Sequence, residues 1–493
     1  MKKENEKKKK RPPLVPSDSM NPDSDQPKIY TSRYKKSEKV LKSCFIACFI
    51  LLALWLLKII VLDSVTISAN AYNPRLRATE SRYIRGSILD RNGKALAREV
   101  QAEDGSYYRT YPYGSALGLV TGYSDQSKSG LELKMNSYLL SAGSFTDMIN
   151  YWILDKTIPG CDVVTTIDGE LSQYAYDRLG DFNGVVIVTE ADTGRLITLV
   201  SKPYYDPNTV MEEWDVLMED ENNPFFDRAA QGLYPPGSTF KMITSLAWYR
   251  SQNYTTDYHY TCSGVEYFNN YDLACIGGSV HGELDIQDAF AYSCNTFFAT
   301  LGNRIGAQQL IRTMESVGFG KKLDFILPSS TSQYGLTKDA TEDEIAATAI
   351  GQGETEMTPL LLNRLTCAVA NQGKVYAYEM VDKVLNQDGT VKKQYLPEKP
   401  EQLITEEEAA YLQDLMEGVT EYGTATNLSW LGIPAYGKTG TAENASGVDH
   451  SWFTGYVVPE EGSPIAITVL VEQSGGRLYA SSVATDVLWT LFN

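Results

Sequence analysis

Ser238-Thr239-Phe240-Lys241 sets a hydroxyl and an amine three residues apart, directly after Pro235-Pro236-Gly237. If a helix begins there, positions three apart share a face and the two side chains meet. A serine alone is a weak nucleophile at neutral pH, but a neighbouring amine with a depressed pKa can take its proton. The start of a helix also favours negative charge developing on Ser238. Ser293-Cys294-Asn295 adds a second hydroxyl, able to pass a proton, and a side-chain amide able to hold an acyl donor. Lys438-Thr439-Gly440-Thr441 adds a cation, hydroxyls suited to a carboxylate, and a glycine that lets substrate approach the backbone. The shared chemistry is acyl transfer through a serine ester, for which no cofactor is called.

Singly, such motifs are common. Ser32-Arg33-Tyr34-Lys35 is also S-x-x-K, and Ser19-Met20-Asn21 and Ser68-Ala69-Asn70 are also S-x-N. Order and context separate the first set from these. Ser238, Asn295 and Lys438 follow one another at intervals of 57 and 143 residues, and S-x-x-K, S-x-N and K-T-G together form the signature of penicillin-binding proteins and class A β-lactamases.

The elements that must position these residues can be read in outline. Gly184–Val188, a turn at Asp192-Thr193-Gly194 and Leu196–Ser201 predict a β-hairpin. A helix is expected from Ser238, with further helices at Leu284–Leu301, Ala307–Val317 and Glu406–Gly418. Ser451–Val458 and Pro464–Glu472 predict strands, and Ala480–Leu491 a final helix. Strands at both ends with helices between imply an α/β (α+β) domain whose sheet draws on both ends of the segment. Residues 63–160 precede it as a smaller module, expected to be β-rich, with a turn at Asp90-Arg91-Asn92-Gly93 and a Tyr/Gly-rich stretch from Gly105 to Tyr123.

Cys44–Leu62 is an apolar run of 19 residues broken only by Lys58, long enough to cross a bilayer as a helix. Residues 1–42 carry a net charge of +7 and the rest of the chain −25. The positive-inside rule then places the tail in the cytoplasm and everything after residue 62 outside. Ala69-Asn70-Ala71 has the form of a signal-peptide cleavage site, but the charged region and the apolar run are both too long for a signal. The acidic body argues against nucleic acid.

Seven cysteines fall at 44, 48, 161, 262, 275, 294 and 367. A Cys262–Cys275 disulfide stays open. With no CxxC pair and only His259, His281 and His450, metal ligation has little support. A Ser–Lys mechanism asks nothing of His281 or His450, and hydrogen bonding within the fold is their expected role.

Beyond the three motifs, several stretches closely resemble class B penicillin-binding proteins over nearly all of residues 63–493. They are Arg85 through Gly93 (RGSILDRNG), Thr166-Ile167-Asp168, Ala230 through Gly237 (AQGLYPPG) and His281-Gly282. The others are Gly351-Gln352-Gly353 with Thr358-Pro359, Lys438 through Glu443 (KTGTAE), and Trp452 through Tyr456 (WFTGY). The resemblance implies a β-lactamase/transpeptidase-like domain at 161–493, with a central antiparallel sheet flanked by helices. Ahead of it would come a dimerisation-type pedestal at 63–160, a membrane helix at 43–62 and a basic cytoplasmic tail at 1–42.

It also implies roles. Ser238 would be acylated by the penultimate D-Ala of a stem peptide, with Lys241 as base and Ser293 and Lys438 completing the proton path. The N–H groups of Ser238 and Thr441 would hold the oxyanion. Asn295 would grip the donor, Thr439 and Thr441 would bind its carboxylate beside Gly440, and the amine of a second stem peptide would attack the ester. β-Lactams would stall the enzyme, and a polytopic membrane glycan polymerase would be a partner. Cys294 stands where Asp is usual in S-D-N, and a packed neutral thiol is its expected state. The rivals are a β-lactamase, with an acid such as Glu342 or Glu354 assisting deacylation, and a non-catalytic cell-wall scaffold. A bifunctional penicillin-binding protein would need more chain than residues 63–160 for its glycosyltransferase.

Overall fold

The structure is a computed structural model that describes residues 28–58, 83–125, 127–141, 157–252, 258–269 and 271–493. The chain divides into two compact units, Met1–Ile67 and Ser68–Asn493.

Among the described residues of the first unit, a helix runs over Lys28–Lys58. Its Lys35–Lys58 portion, 24 residues, would extend about 36 Å at ~1.5 Å per residue, more than the ~30 Å apolar thickness of a bilayer. Phe45, Phe49, Leu51 and Trp55 on it are exposed. The helix starts well before the expected Cys44, and residues 59–62 of the expected span lie outside the described residues, as does the tail before Lys28.

The second unit is built on a five-stranded antiparallel sheet. Its order is Ala435–Ala442, His450–Val457, Ile465–Val471, Gly184–Glu190, Leu196–Lys202. The last two form the expected hairpin, so the sheet does join the two ends of the segment. Every residue of His450–Val457 and Ile465–Val471 is buried, which requires both faces to be covered. Pro359–Ala370 packs across these strands, and Ala480–Phe492 packs on them together with Gly169–Arg178. The Ala435–Ala442 strand, which carries the K-T-G-T residues, is the sheet's edge.

A six-stranded sheet occupies the pedestal region. Its order is Val391–Gln394, Val381–Leu385, Asp162–Thr165, Ile88–Leu89, Ala95–Gln101, Tyr107–Thr110. It therefore reaches past residue 160, because a hairpin more than 200 residues downstream supplies two of its strands. The Asp90–Gly93 turn forms as expected: Asp90 Oδ1 accepts from the Asn92 and Lys94 amides, and Gly93 has φ 82°. The Gly105–Tyr123 stretch is not purely β, since Gly114–Thr121 is a helix with most of its residues buried.

At the heart of this region Glu132, fully buried, lies between two guanidiniums. Arg85 Nε meets Glu132 Oε2 at 2.5 Å and Arg109 Nε meets Oε1 at 2.7 Å. Burial alone would raise the Glu132 carboxyl, but Arg109 and Arg85 together hold it below its ordinary value.

Candidate active site

The expected helix at Ser238 begins as one turn of 3₁₀ helix, Gly237–Phe240, and runs on as an α-helix over Lys241–Ser251. The tighter turn serves the site, because side chains at i and i+3 eclipse in 3₁₀ geometry. Ser238 and Lys241 thus lie on one side of the turn, and among the described residues the Lys241 amine hydrogen-bonds to Ser293 and Asn295 rather than to Ser238. Gly237 makes the turn possible. Its φ is +53°, and a Cβ there would lie 2.4 Å from the Thr441 carbonyl oxygen, so the absent side chain lets the turn press against the edge strand. Gly351 backs the turn from the other side, accepting from the Gly237 amide at 2.9 Å. The Trp452 indole donates to Pro235 O at 3.1 Å and fixes the segment ahead of it.

The continuous helix expected over Leu284–Leu301 is broken. Ile286–Ala291 and Asn295–Ile305 are separate helices, and Ser293 between them adopts φ 58°. That left-handed residue is a local cost, and it turns the chain so that Ser293 and Asn295 both face Lys241. Lys241 Nζ donates to Ser293 O at 2.8 Å, to Ser293 Oγ at 3.2 Å and to Asn295 Oδ1 at 2.8 Å. Asn295 Nδ2 in turn donates to Ala274 O at 3.1 Å. Between Ser293 and Asn295, Cys294 meets Cys275, with the two sulfurs 3.7 Å apart.

Lys241 is fully buried. Burial pushes its amine down to about 7, opposed by the nearby Cys294 and Cys275. Lys438 is also fully buried, 5.4 Å from the centre of the Phe290 ring, and donates to Thr439 O at 3.2 Å. Burial, and then the charge of Lys241, hold its amine well below the ordinary value.

A cleft of about 480 Å³ opens over these groups. Ser238, Ser293, Thr439, Gly440 and Thr441 line it, so members of all three motifs meet at one surface. Lys241, Lys438 and Asn295 stand behind that surface. Gly440 is tightly enclosed: a Cβ there would lie 3.0 Å from both Thr239 Cγ2 and Trp452 Cβ.

Residues outside the motifs complete the walls, among them Tyr292, Thr424, Asn427, Trp452 and Tyr479. Thr424 shares a 2.6 Å hydrogen bond with Thr439 Oγ1; nothing in its local sequence marks it. His450 accepts from the Gln473 amide at 3.0 Å, a role within the fold. His281 instead lines the cleft and approaches Cys262 Sγ to 3.4 Å. Cys262 and Cys275 are both free thiols, 3.8 Å apart.

Residues 184–492 match the family model for the penicillin-binding protein transpeptidase domain, and residues 85–163 that for the penicillin-binding protein A dimerisation domain. The chain belongs to the penicillin-binding protein transpeptidase family. Among relatives of this penicillin-binding protein is the peptidoglycan D,D-transpeptidase PbpA of Mycolicibacterium smegmatis, 30% identical, with 84% of this chain and 89% of the relative covered. Penicillin-binding protein A of M. tuberculosis, solved as an imipenem acyl-enzyme complex, superposes with a TM-score of 0.77 at 26% identity, covering 84% of this chain and 99% of that one. The D,D-transpeptidase domain of a peptidoglycan glycosyltransferase from Eggerthella lenta gives a TM-score of 0.72 at 30% identity over 83% of this chain and 98% of that one.

Proposed function

We propose that this chain is a serine D,D-transpeptidase that cross-links peptidoglycan stem peptides and is acylated by β-lactams, with Ser238 as the nucleophile. The observation that carries the reading is the state of Lys241. Its amine is buried, pushed down to about 7, held by Ser293 and Asn295, and carried one turn after Ser238. With a pKa of about 7 a large fraction of the amine is unprotonated at neutral pH, and that form can take the Ser238 proton as the hydroxyl attacks the penultimate D-Ala carbonyl. The N–H groups of Ser238 and Thr441 then stabilise the oxyanion, a contribution that commonly dominates acyl transfer.

Collapse of the tetrahedral intermediate breaks the peptide bond, and the terminal D-Ala leaves as its amine takes a proton through Ser293 and Lys438. Asn295 orients the donor peptide while anchoring Lys241. Thr439 and Thr441 bind the terminal carboxylate, Thr439 being oriented by Thr424. The amine of a second stem peptide attacks the ester and gives its proton to Lys241, which returns it to Ser238 Oγ as the acyl C–O bond breaks.

The wall of the cleft favours a transpeptidase over a β-lactamase. Among the described residues that line it, none is acidic. Glu342 sits in the first turn of Glu342–Ala349, and Glu354 lies against Gly335. Water attacking the ester lacks a carboxylate base at the cleft wall. The test is exchange: full-length protein given a stem pentapeptide and a fluorescent D-amino acid should replace the terminal D-Ala with the label, and Ser238→Ala should abolish this. Hydrolysis of penicillin at many turnovers with no exchange would make it a β-lactamase.

The Lys35–Lys58 helix supports a single-pass anchor with the basic tail in the cytoplasm and the catalytic domain outside. The short module ahead of the transpeptidase domain, expected at 63–160 before 161–493, follows that anchor in the chain. A polytopic glycan polymerase is the partner suited to that position. Swapping the anchor and this module for those of an unrelated protein should abolish co-purification, and unchanged co-purification would refute the partnership.

A further inference from the structure

Next to the cleft, four side chains from separate stretches converge. Cys262 ends the Tyr260–Cys262 strand, and Cys275 follows Tyr271–Ala274. His281 precedes Gly282–Leu284, and Cys294 is the residue before Asn295–Ile305. Their ligand atoms all lie within 4.8 Å of one another. Cys262 Sγ and Cys275 Sγ are 3.8 Å apart, Cys275 Sγ and Cys294 Sγ 3.7 Å, and Cys262 Sγ and His281 Nδ1 3.4 Å. A tetrahedral ion with metal–sulfur bonds of ~2.3 Å requires sulfur–sulfur edges of about 3.7–3.8 Å, and slightly shorter edges to nitrogen. The three separations match that figure.

We propose that Cys262, Cys275, Cys294 and His281 form a closed, tetrahedral Zn²⁺ site. Three thiolates and an imidazole select zinc over magnesium, calcium or manganese, and four protein ligands mark the site as structural rather than catalytic. Groups around the sulfurs suit such a site. The Gly264 amide donates to Cys262 Sγ at 3.4 Å and the Thr296 hydroxyl donates to it at 3.2 Å, outer contacts of the kind that hold thiolate ligands in place. Cys294 sits at the N-terminus of an 11-residue helix, where negative charge is favoured.

The ion would tie two hairpins to the helix that carries Asn295. Cys294 is the middle residue of the S-x-N motif, and both its neighbours hydrogen-bond to Lys241. Zinc would therefore fix the turn at Ser293 from behind, making its four ligands positioning residues for the acylation site. The ligand spacings, 13, 6 and 13 residues, include no CxxC pair, which is why the sequence conceals the site.

The test uses the full-length protein in detergent, purified with a reducing agent and without chelator. Elemental analysis should find about one zinc per chain. Stripping with dipicolinate should lower Tm by at least roughly 5 °C and slow acylation by a fluorescent penicillin, and added ZnCl₂ should restore both. Cys275→Ser and His281→Ala should each lose the metal on buffer exchange. Competition between zinc-stripped, reduced wild-type protein and a zinc-loaded dye needs no variant to fold and should show transfer of one equivalent to the protein. Zinc-stripped, reduced wild-type protein that takes no zinc from the dye would overturn the proposal. So would zinc retained in full by the Cys262→Ser/Cys275→Ser double variant, or a Cys262–Cys275 cross-link in protein isolated without reductant and containing no zinc.

Discussion

Lys241 Nζ and Asn295 Oδ1 are joined by a 2.8 Å hydrogen bond across two of the three motifs. The proposed base and the residue proposed to orient the donor peptide are therefore one unit, and a change at either is felt at both. The bond is neutral when Lys241 is a free amine and becomes charge-assisted when the amine has accepted a proton, which strengthens it as the acyl-enzyme forms.

The pH dependence of acylation follows from Lys241. The base must be unprotonated, and its amine lies near 7 rather than at the 10.5 of an ordinary lysine. Acylation by penicillin should rise with pH through about 7 and level off above 8. Stopped-flow measurement of the acylation rate from pH 5.5 to 9 checks this. A rate still climbing in proportion to hydroxide at pH 9 would mean that Lys241 stays charged. Lys241→Arg, which cannot deprotonate, should lose about 10²–10⁴-fold in rate.

Asn295→Asp places a carboxylate against the Lys241 amine. An opposite charge at hydrogen-bond distance raises an amine pKa by about 1–3 units. The pH–rate profile should move to the alkaline side by that amount, with slower acylation at pH 7 and partial recovery at pH 9. Asn295→Ala should weaken donor binding without the alkaline shift. Identical profiles for the two variants would contradict the coupling.

Glu132 is the sole carboxylate contact that neutralises Arg85 among the described ion pairs, and it also holds Arg109. Glu132→Gln leaves the buried Arg85 guanidinium without a countercharge and Arg109 with only Glu99, 3.8 Å away, and breaking a buried pair in this way costs about 3–5 kcal/mol. Tm should fall by several degrees, while penicillin acylation at low temperature stays near wild type because the site is built elsewhere in the unit. Thermal unfolding of the two proteins compares them.

Asp227 gives a pH-dependent stability term of known sign. Its Oδ1 accepts from the Ala229 and Ala230 amides, while Oδ2 is buried without a hydrogen-bond partner among the described residues. Burial pushes the carboxyl up to about 6 from 3.8. The folded state thus binds the proton more tightly than the unfolded chain. The associated stabilisation is complete below about pH 4 and is lost as pH rises through 6. Asp227→Asn keeps the acceptor oxygen and removes the buried charge, so it should raise stability by about 1–2 kcal/mol at pH 7.5 and by nothing near pH 4. Denaturant midpoints at the two pH values test it.

Much of this site was legible in the chain because its chemistry is carried by short local motifs. Ser238, Ser293 and Thr439–Thr441 meet at one cleft, with Lys241, Lys438 and Asn295 directly behind it. The sheet strands were also readable, since uninterrupted apolar runs such as Ile465–Val471 belong only in a doubly covered sheet. What escaped depended on long-range contact. The break falls at Ser293, with no glycine or proline between the two helices, and is accompanied by contacts from Lys241, 52 residues away. The hairpin at 381–394 joins the pedestal sheet through pairing with Asp162–Thr165, and register between distant strands leaves no local trace. Thr424 reaches Thr439 from a turn of unremarkable composition. The gathering of Cys262, Cys275, His281 and Cys294 likewise appears only once two hairpins have folded against a helix.

The central claim is that Ser238 forms a long-lived acyl-enzyme. Full-length protein and Ser238→Ala should be incubated with a fluorescent penicillin, following both labelling and release of the label. The account predicts one label per chain, retained for many minutes and absent in the variant. Equal labelling of the Ser238→Ala protein, or no labelling of folded wild-type protein, would contradict it.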